Sequence, residues 1–226
     1  QLVVYSLYNS TWTSWPWEHI GTALAVDRHD PDLMCHSHSV GARYGLLVTK
    51  MHFPKFGVSH DVHKWMEAEV NAIANQHQDL LVLDLDGMFG SYGVLDLRAK
   101  VDFARDVVIA VKSRLPYMQV GIHHKLENSR YENHCDHLRQ LAVEMDYIFI
   151  VPVESSQSKL SRLLALDTSQ SPPRIQCMAT PPNSYISTMR TIEQYTGCGL
   201  SVEQLVLYVG WQGRDYACTK FHLHVS

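Results

Sequence analysis

Apolar residues come in short runs along this chain, and the runs alternate with stretches of helical spacing. Runs rich in Val, Ile, Leu and Tyr occupy positions 2–5, 22–26, 44–48, 80–85, 119–122, 147–153 and 204–210. Most are continuously apolar, the pattern of strands covered on both faces. Between them, Val62, Trp65, Met66, Val70 and Ile73 recur at helical spacing behind the capping residues Ser59 and Asp61. Val101, Ala104, Val107, Val108 and Val111 make a second stripe. Leu138, Leu141 and Val143 mark a third helix, Leu160, Leu163 and Leu164 a fourth, and positions 185–195 a fifth. Strand–helix alternation implies parallel strands joined by crossover helices. Seven strands with short turns predict an α/β fold, either a TIM-type (β/α) barrel or a doubly wound sheet. No GxGxxG follows the first strand, which counts against a dinucleotide-binding sheet. No repeat, linker or charge block divides residues 1–226, so one domain is expected.

Composition narrows the function classes. The 226 residues are 46% hydrophobic and 19% charged, as in a chain that buries a core. The net charge is −4 and no Lys/Arg run occurs, so a nucleic-acid footprint is not expected. No apolar stretch reaches the roughly 18 residues of a membrane span. The start, QLVVYSLYNSTW, lacks the basic and apolar blocks of a signal peptide and is compatible with a processed N-terminus. Five cysteines, Cys35, Cys135, Cys177, Cys198 and Cys218, include no CxxC pair. They read either as buried thiols or as one or two disulfides of a secreted protein with a thiol left over. Asn9 heads an N-glycosylation triplet, Asn9-Ser10-Thr11, which favours secretion.

The segment Asp79-Leu80-Leu81-Val82-Leu83-Asp84-Leu85-Asp86-Gly87 carries the candidate chemistry. Side chains alternate faces along a strand, so Val82, Asp84 and Asp86 share one face and Leu81, Leu83 and Leu85 the other. Two carboxylates then stand together at the strand's C-terminal end, where barrel enzymes build their sites. Neighbouring carboxylates hold one proton more tightly, which suits a general acid. The competing reading is a strand end whose aspartates cap loop amides. Histidine is abundant, at 14 residues, with close pairs at 36/38, 60/63, 123/124, 134/137 and 222/224. Scattered core and surface histidines are the expected reading, with no metal or cofactor. His123 and His124 stand out because they end the fifth strand, close to Asp84 and Asp86, where a pH-sensitive site is conceivable.

These residues resemble glycoside hydrolase family 18, in particular the chitobiase branch of the chitinases. The resemblance also runs through Thr11-Trp12, Trp17, positions 32–43 (DLMCHSHSVGAR), 146–150 (DYIFI) and 205–218 (LVLYVGWQGRDYAC). Cys35, Cys135, Cys177 and Cys218 fall at positions similar to that branch's cysteines. The resemblance implies a (β/α) barrel, a cleft for N-acetylglucosamine-containing glycans, and a secreted or lysosomal location. In the family motif DxxDxDxE the Glu protonates the leaving oxygen while the substrate's N-acetyl group attacks the sugar, an exception to the two-carboxylate scheme. Asp79 matches the first Asp and Asp84 the third acidic place. Val82 stands where Asp or Asn belongs, and Asp86 where the Glu belongs. A carboxyl one methylene shorter sits roughly 1–1.5 Å further back, and misplacement of about 1 Å can cost on the order of a hundredfold in rate.

Further departures accompany these. Val153 and Glu154 replace the family's Tyr and Asp after the sixth strand, and Gln212 replaces a Tyr beside Trp211 at the seventh. An eighth strand with its sugar-flooring Trp, and an inserted α+β lobe, have no counterpart in the sequence, so an altered or incomplete barrel is expected. A covering segment, a second copy or a partner subunit would then protect the open edges. In the family a cysteine before the sixth strand would pair with Cys135, but Met145 occupies that place. Cys198 reads as an addition, which leaves a free thiol or an intersubunit bond as the expectation. The expected function is a chitobiase-like protein with most or all glycosidase activity lost, kept for carbohydrate binding, defence, storage or signalling. The rivals are a weak N-acetylglucosaminide hydrolase using Asp86 as its acid, and an interaction module using the open barrel edge. Glycan contacts are expected from Asp79, Glu154, Trp211, Gln212 and His123, and residual catalysis from Asp84 and Asp86.

Overall fold

The computed structural model describes residues 2–6, 10–49, 59–84, 97–125, 134–151 and 185–207. Strands β1 (Leu2–Ser6), β2 (Ile20–Val26), β3 (Arg43–Val48), β4 (Leu80–Asp84), β5 (Gln119–Lys125), β6 (Tyr147–Val151) and β7 (Leu205–Leu207) form one sheet. Each pairs in parallel with the next, in the order of the chain. Helices α1 (Pro31–Ser39), α2 (Ser59–Asn75), α3 (Leu97–Arg114), α4 (His134–Glu144) and α5 (Tyr185–Gly197) supply crossovers between strands. The sheet curls into an incomplete TIM-type barrel, as the apolar runs imply.

The two faces of the sheet bury different sets. Leu81, Leu83, Ile122, Ile148 and Ile150 pack outward against Val70 and Ile73 of α2, Val107 and Val111 of α3, and Leu138 and Leu141 of α4. Leu24, Leu47, Leu80, Val82 and Phe149 form a second cluster on the inner face. The alternation expected along 80–84 is therefore present. The stripe of α3 is buried throughout, from Val101 to Val111. Val143 corrects the expectation for α4, since it is 82% exposed while Met145 is buried. Two residues beyond Leu141 is a turn of about 200° around a helix, which aims Val143 at solvent. The predicted helix at 160–164 lies outside the described residues.

α1 is not among the predicted elements, because only Leu33 and Ser37 of its nine residues are buried. Asp30 accepts the Leu33 N–H at 3.0 Å as N-cap, and Pro31 takes the first helical place. Tyr44 on β3, fully buried, ties this start down. Its hydroxyl accepts the Asp30 N–H at 2.9 Å and lies 3.1 Å from His29 Nδ1. Burial lowers the His29 pKa below 6.5, with Asp30 acting weakly the other way. A neutral imidazole can accept the Tyr44 proton through Nδ1. The unfolded chain therefore takes up a proton near pH 6.5 that the folded chain resists. This contribution to stability is complete above that pH and is lost as pH falls through it toward the depressed folded value. Tyr44→Phe is expected to cost about 1–2 kcal/mol in urea unfolding at pH 7.5, and less at pH 5.5. Equal losses at both pH values would contradict the pairing.

One disulfide joins Cys135, in the first turn of α4, to Cys198, just past α5. Cys198 is thus no supernumerary thiol; it supplies the partner that Met145 cannot. Among the described residues Cys35 is free and exposed. No helix among them is long and apolar enough to cross a membrane.

Candidate functional site

Asp84 and His123 meet at the C-terminal ends of β4 and β5. The two are register partners, as are Val82 and Gly121 one layer below. His123 Nδ1 lies 3.4 Å from Asp84 Oδ1, and both side chains are largely shielded, at 20% and 17% exposure. The layer beneath them is hydrocarbon. Val82 is fully buried, and Phe149 packs in the same cluster with Leu24 and Leu47. Gly121 makes room for that ring, since a Cβ there would stand 2.9 Å from Phe149 Cε2. The relay place is therefore apolar, and Asp84 turns to an imidazole on the neighbouring strand. The pair can accept and donate hydrogen bonds to a hydroxyl or amide of a ligand.

His124, next in the chain, points to the opposite face and is buried. Its Nδ1 lies 2.7 Å from the Tyr195 hydroxyl of α5. The 123/124 pair is thus divided between the site and the outer core. Among the described residues no three His, Cys, Asp or Glu side chains converge to hold a metal ion.

Asp79 is not brought to Asp84. It precedes β4, five residues and about 16 Å of strand below. Its Oδ2 accepts the Tyr44 N–H at 2.9 Å and lies 2.9 Å from His38 Nε2. Its backbone N–H donates to Tyr44 O, and its carbonyl accepts from Gln119 N. These bonds pin the N-terminal ends of β3, β4 and β5, where barrels place stability rather than chemistry. Asp79, His38, His77, Gln78, Met34 and Tyr117 line an open cleft of about 330 Å³ on that face. Nearby, Arg43 bonds Gln119 Oε1 and the Tyr147 hydroxyl, and Gln119 Nε2 donates to the same hydroxyl at 3.2 Å. This polar layer ties β3, β5 and β6 together at the barrel's lower end. Asp86, Glu154, Trp211, Gln212 and Asn9 lie outside the described residues.

Asp27 was not singled out from the sequence, yet it sits at the site's end of the sheet. It follows β2 at φ 58° and accepts both the backbone N–H and the hydroxyl of Thr49, at 2.6 and 2.7 Å. Its own N–H donates to Leu47 O at 2.8 Å. The signal was a carboxylate directly after an apolar run, the pattern that drew attention to Asp84.

Comparisons with known proteins agree with this fold. Mouse di-N-acetylchitobiase is 23% identical over 222 residues, covering 96% of this chain and 55% of the mouse protein. The rat protein matches at 23% over the same shares, and the human one at 21%, covering 96% of this chain and 52% of its own length. The chain is chitobiase-like. Its likeness to the di-N-acetylchitobiases and its chitinase-like fold support a place beside glycoside hydrolase family 18. The C-terminal domain of a chitinase-like protein from Desulfitobacterium hafniense matches this fold with a TM-score of 0.61 at 12% identity, over 91% of this chain and 64% of that one. No protein-family model matches. The chitobiase-like chain spans about half the length of the curated relatives it matches.

Proposed function

We propose that this chitobiase-like chain binds N-acetylglucosamine-containing glycans at the C-terminal end of its barrel and has lost most or all glycosidase activity. The observation that carries this reading is Val82, fully buried in an apolar layer directly below Asp84. A carboxylate relay rising through that layer would need a polar group there. Asp86 adds a second impairment, because an aspartate side chain is one methylene shorter than the glutamate of the family motif. Val153, where a tyrosine would steady the N-acetyl group, adds a third. What remains suits binding. Asp84 and His123 offer hydrogen bonds to sugar hydroxyls, and Trp211, Gln212 and Glu154 are the proposed further contacts. The proposed unit is a single barrel domain, residues 1–226, kept for carbohydrate recognition in defence, storage or signalling. The Cys135–Cys198 bond fits an oxidising compartment, a secreted or lysosomal one.

Titration of the full chain with chitotriose, followed by tryptophan fluorescence, tests the binding half. Saturable binding is expected, weakened about tenfold by Asp84→Asn or His123→Ala, a loss of roughly one charge-assisted hydrogen bond. No saturation up to millimolar sugar would sink it. A defined oligomer by sedimentation, without sugar binding, would favour the interaction module instead.

A further inference from the structure

We propose that Tyr195 is a positioning residue for the Asp84–His123 pair, held in place by the Cys135–Cys198 clasp. The end of β5 is gripped through His124. The Tyr195 hydroxyl donates to the His124 carbonyl at 3.1 Å and lies 2.7 Å from its Nδ1. With the hydroxyl proton on that carbonyl, the Nδ1–H donates to the hydroxyl oxygen. The two rings stand at 90°, 5.9 Å apart. One residue of β5 is thus fixed by both its main chain and its side chain. The residue before it carries the site imidazole. Consecutive strand side chains point to opposite faces, so a twist or slip at His124 swings His123 relative to Asp84.

The grip is rigid because Tyr195 is itself locked. It is fully buried on α5, and its carbonyl accepts the N–H groups of Cys198 and Leu200 at 3.1 and 3.3 Å. Cys198 is bonded to Cys135 at the start of α4, with Cα atoms 4.8 Å apart. Arg139 of α4 donates through Nε to Cys198 O at 2.7 Å. The end of α5 therefore moves only with α4, and the chain of contacts runs from disulfide to tyrosine to the end of β5. This assignment rests on the reading of Asp84 and His123 as part of the glycan cleft.

The test needs no glycan. Histidine imidazole signals of the labelled full chain are recorded by NMR for the native protein, Tyr195→Phe and Tyr44→Phe. Tyr195→Phe is expected to displace or split the His123 signals and to abolish the cross-peak between the His123 ring and Asp84 Hβ. Tyr44→Phe, which removes a hydroxyl held against the start of α1, is expected to leave both unchanged, which separates positioning from general loss of stability. His123 signals that superimpose on the native ones in Tyr195→Phe, while those of His124 move, would overturn the proposal. Should Tyr195→Phe fail to fold, the native chain reduced by a dithiol gives the second reading. Displaced His123 signals support the clasp, and unchanged ones overturn it. Displaced signals in a chain that binds no chitotriose would count against the glycan reading alone.

Discussion

Cys198→Ser lowers the unfolding free energy of this chain by about 4 kcal/mol in chemical denaturation under oxidising conditions. The bond closes a loop spanning 63 residues. In the chain-entropy account, a cross-link across a loop of that length removes about 4 kcal/mol of freedom from the unfolded ensemble. The closed loop contains β6 and α5, so opening it also frees the end of α5 from α4. Cys135→Ser is expected to cost the same, and the double variant no more than either single one. A loss below about 1 kcal/mol in all three would show that the clasp is incidental to the fold. Cys35→Ser, at an exposed free thiol, is the control with no expected loss.

Gly45→Ala is expected to destabilise the chain by about 3 kcal/mol or more, because the obstruction is main chain. A Cβ at Gly45 would lie 2.3 Å from the Leu80 carbonyl oxygen, 2.7 Å from Leu24 Cδ2 and 3.0 Å from Leu80 Cβ. Gly45 and Leu80 are register partners, so relief requires β3 and β4 to part. Gly121→Ala meets a different obstacle, the Phe149 ring edge at 2.9 Å and the Tyr147 carbonyl at 3.1 Å. A ring can tilt, and a loss nearer 1–2 kcal/mol is expected there. Urea unfolding of both variants checks the order. Equal losses, or a stable Gly45→Ala, would contradict the packing described for the inner face.

The architecture was legible because the apolar runs of β2, β3, β4 and β6 are covered on both faces, so strand positions show in the sequence without any knowledge of partners. β5 is longer than its apolar run, reaching Lys125, because His123 and His124 continue the strand with polar side chains that find Asp84 and Tyr195. Periodicity carries no trace of such long-range partners. α1 escaped for the opposite reason, since a short helix that buries two residues leaves almost no stripe. The pairing of Cys135 with Cys198 was also hidden. Spacing cannot choose among partners, and the family pattern pointed to the place now filled by Met145. In the site, the Asp84–His123 pairing followed from strand alternation and barrel position. Asp79 did not, because a motif match pools residues from both ends of a strand, and Asp79 stands just before the start of β4 while Asp84 stands at its end. Its two bonds, to Tyr44 and His38, place it in the framework below.

The central claim is that the apolar layer under Asp84 and the shortened acid at Asp86 have removed catalysis while leaving a glycan cleft. Turnover of a fluorogenic chitobiose glycoside between pH 3 and 8, with Asp86→Asn measured alongside, tests it most directly. The account predicts that the native chain releases no more fluorophore than Asp86→Asn at any pH. Release by the native chain that Asp86→Asn abolishes would contradict it and return the protein to the working hydrolases.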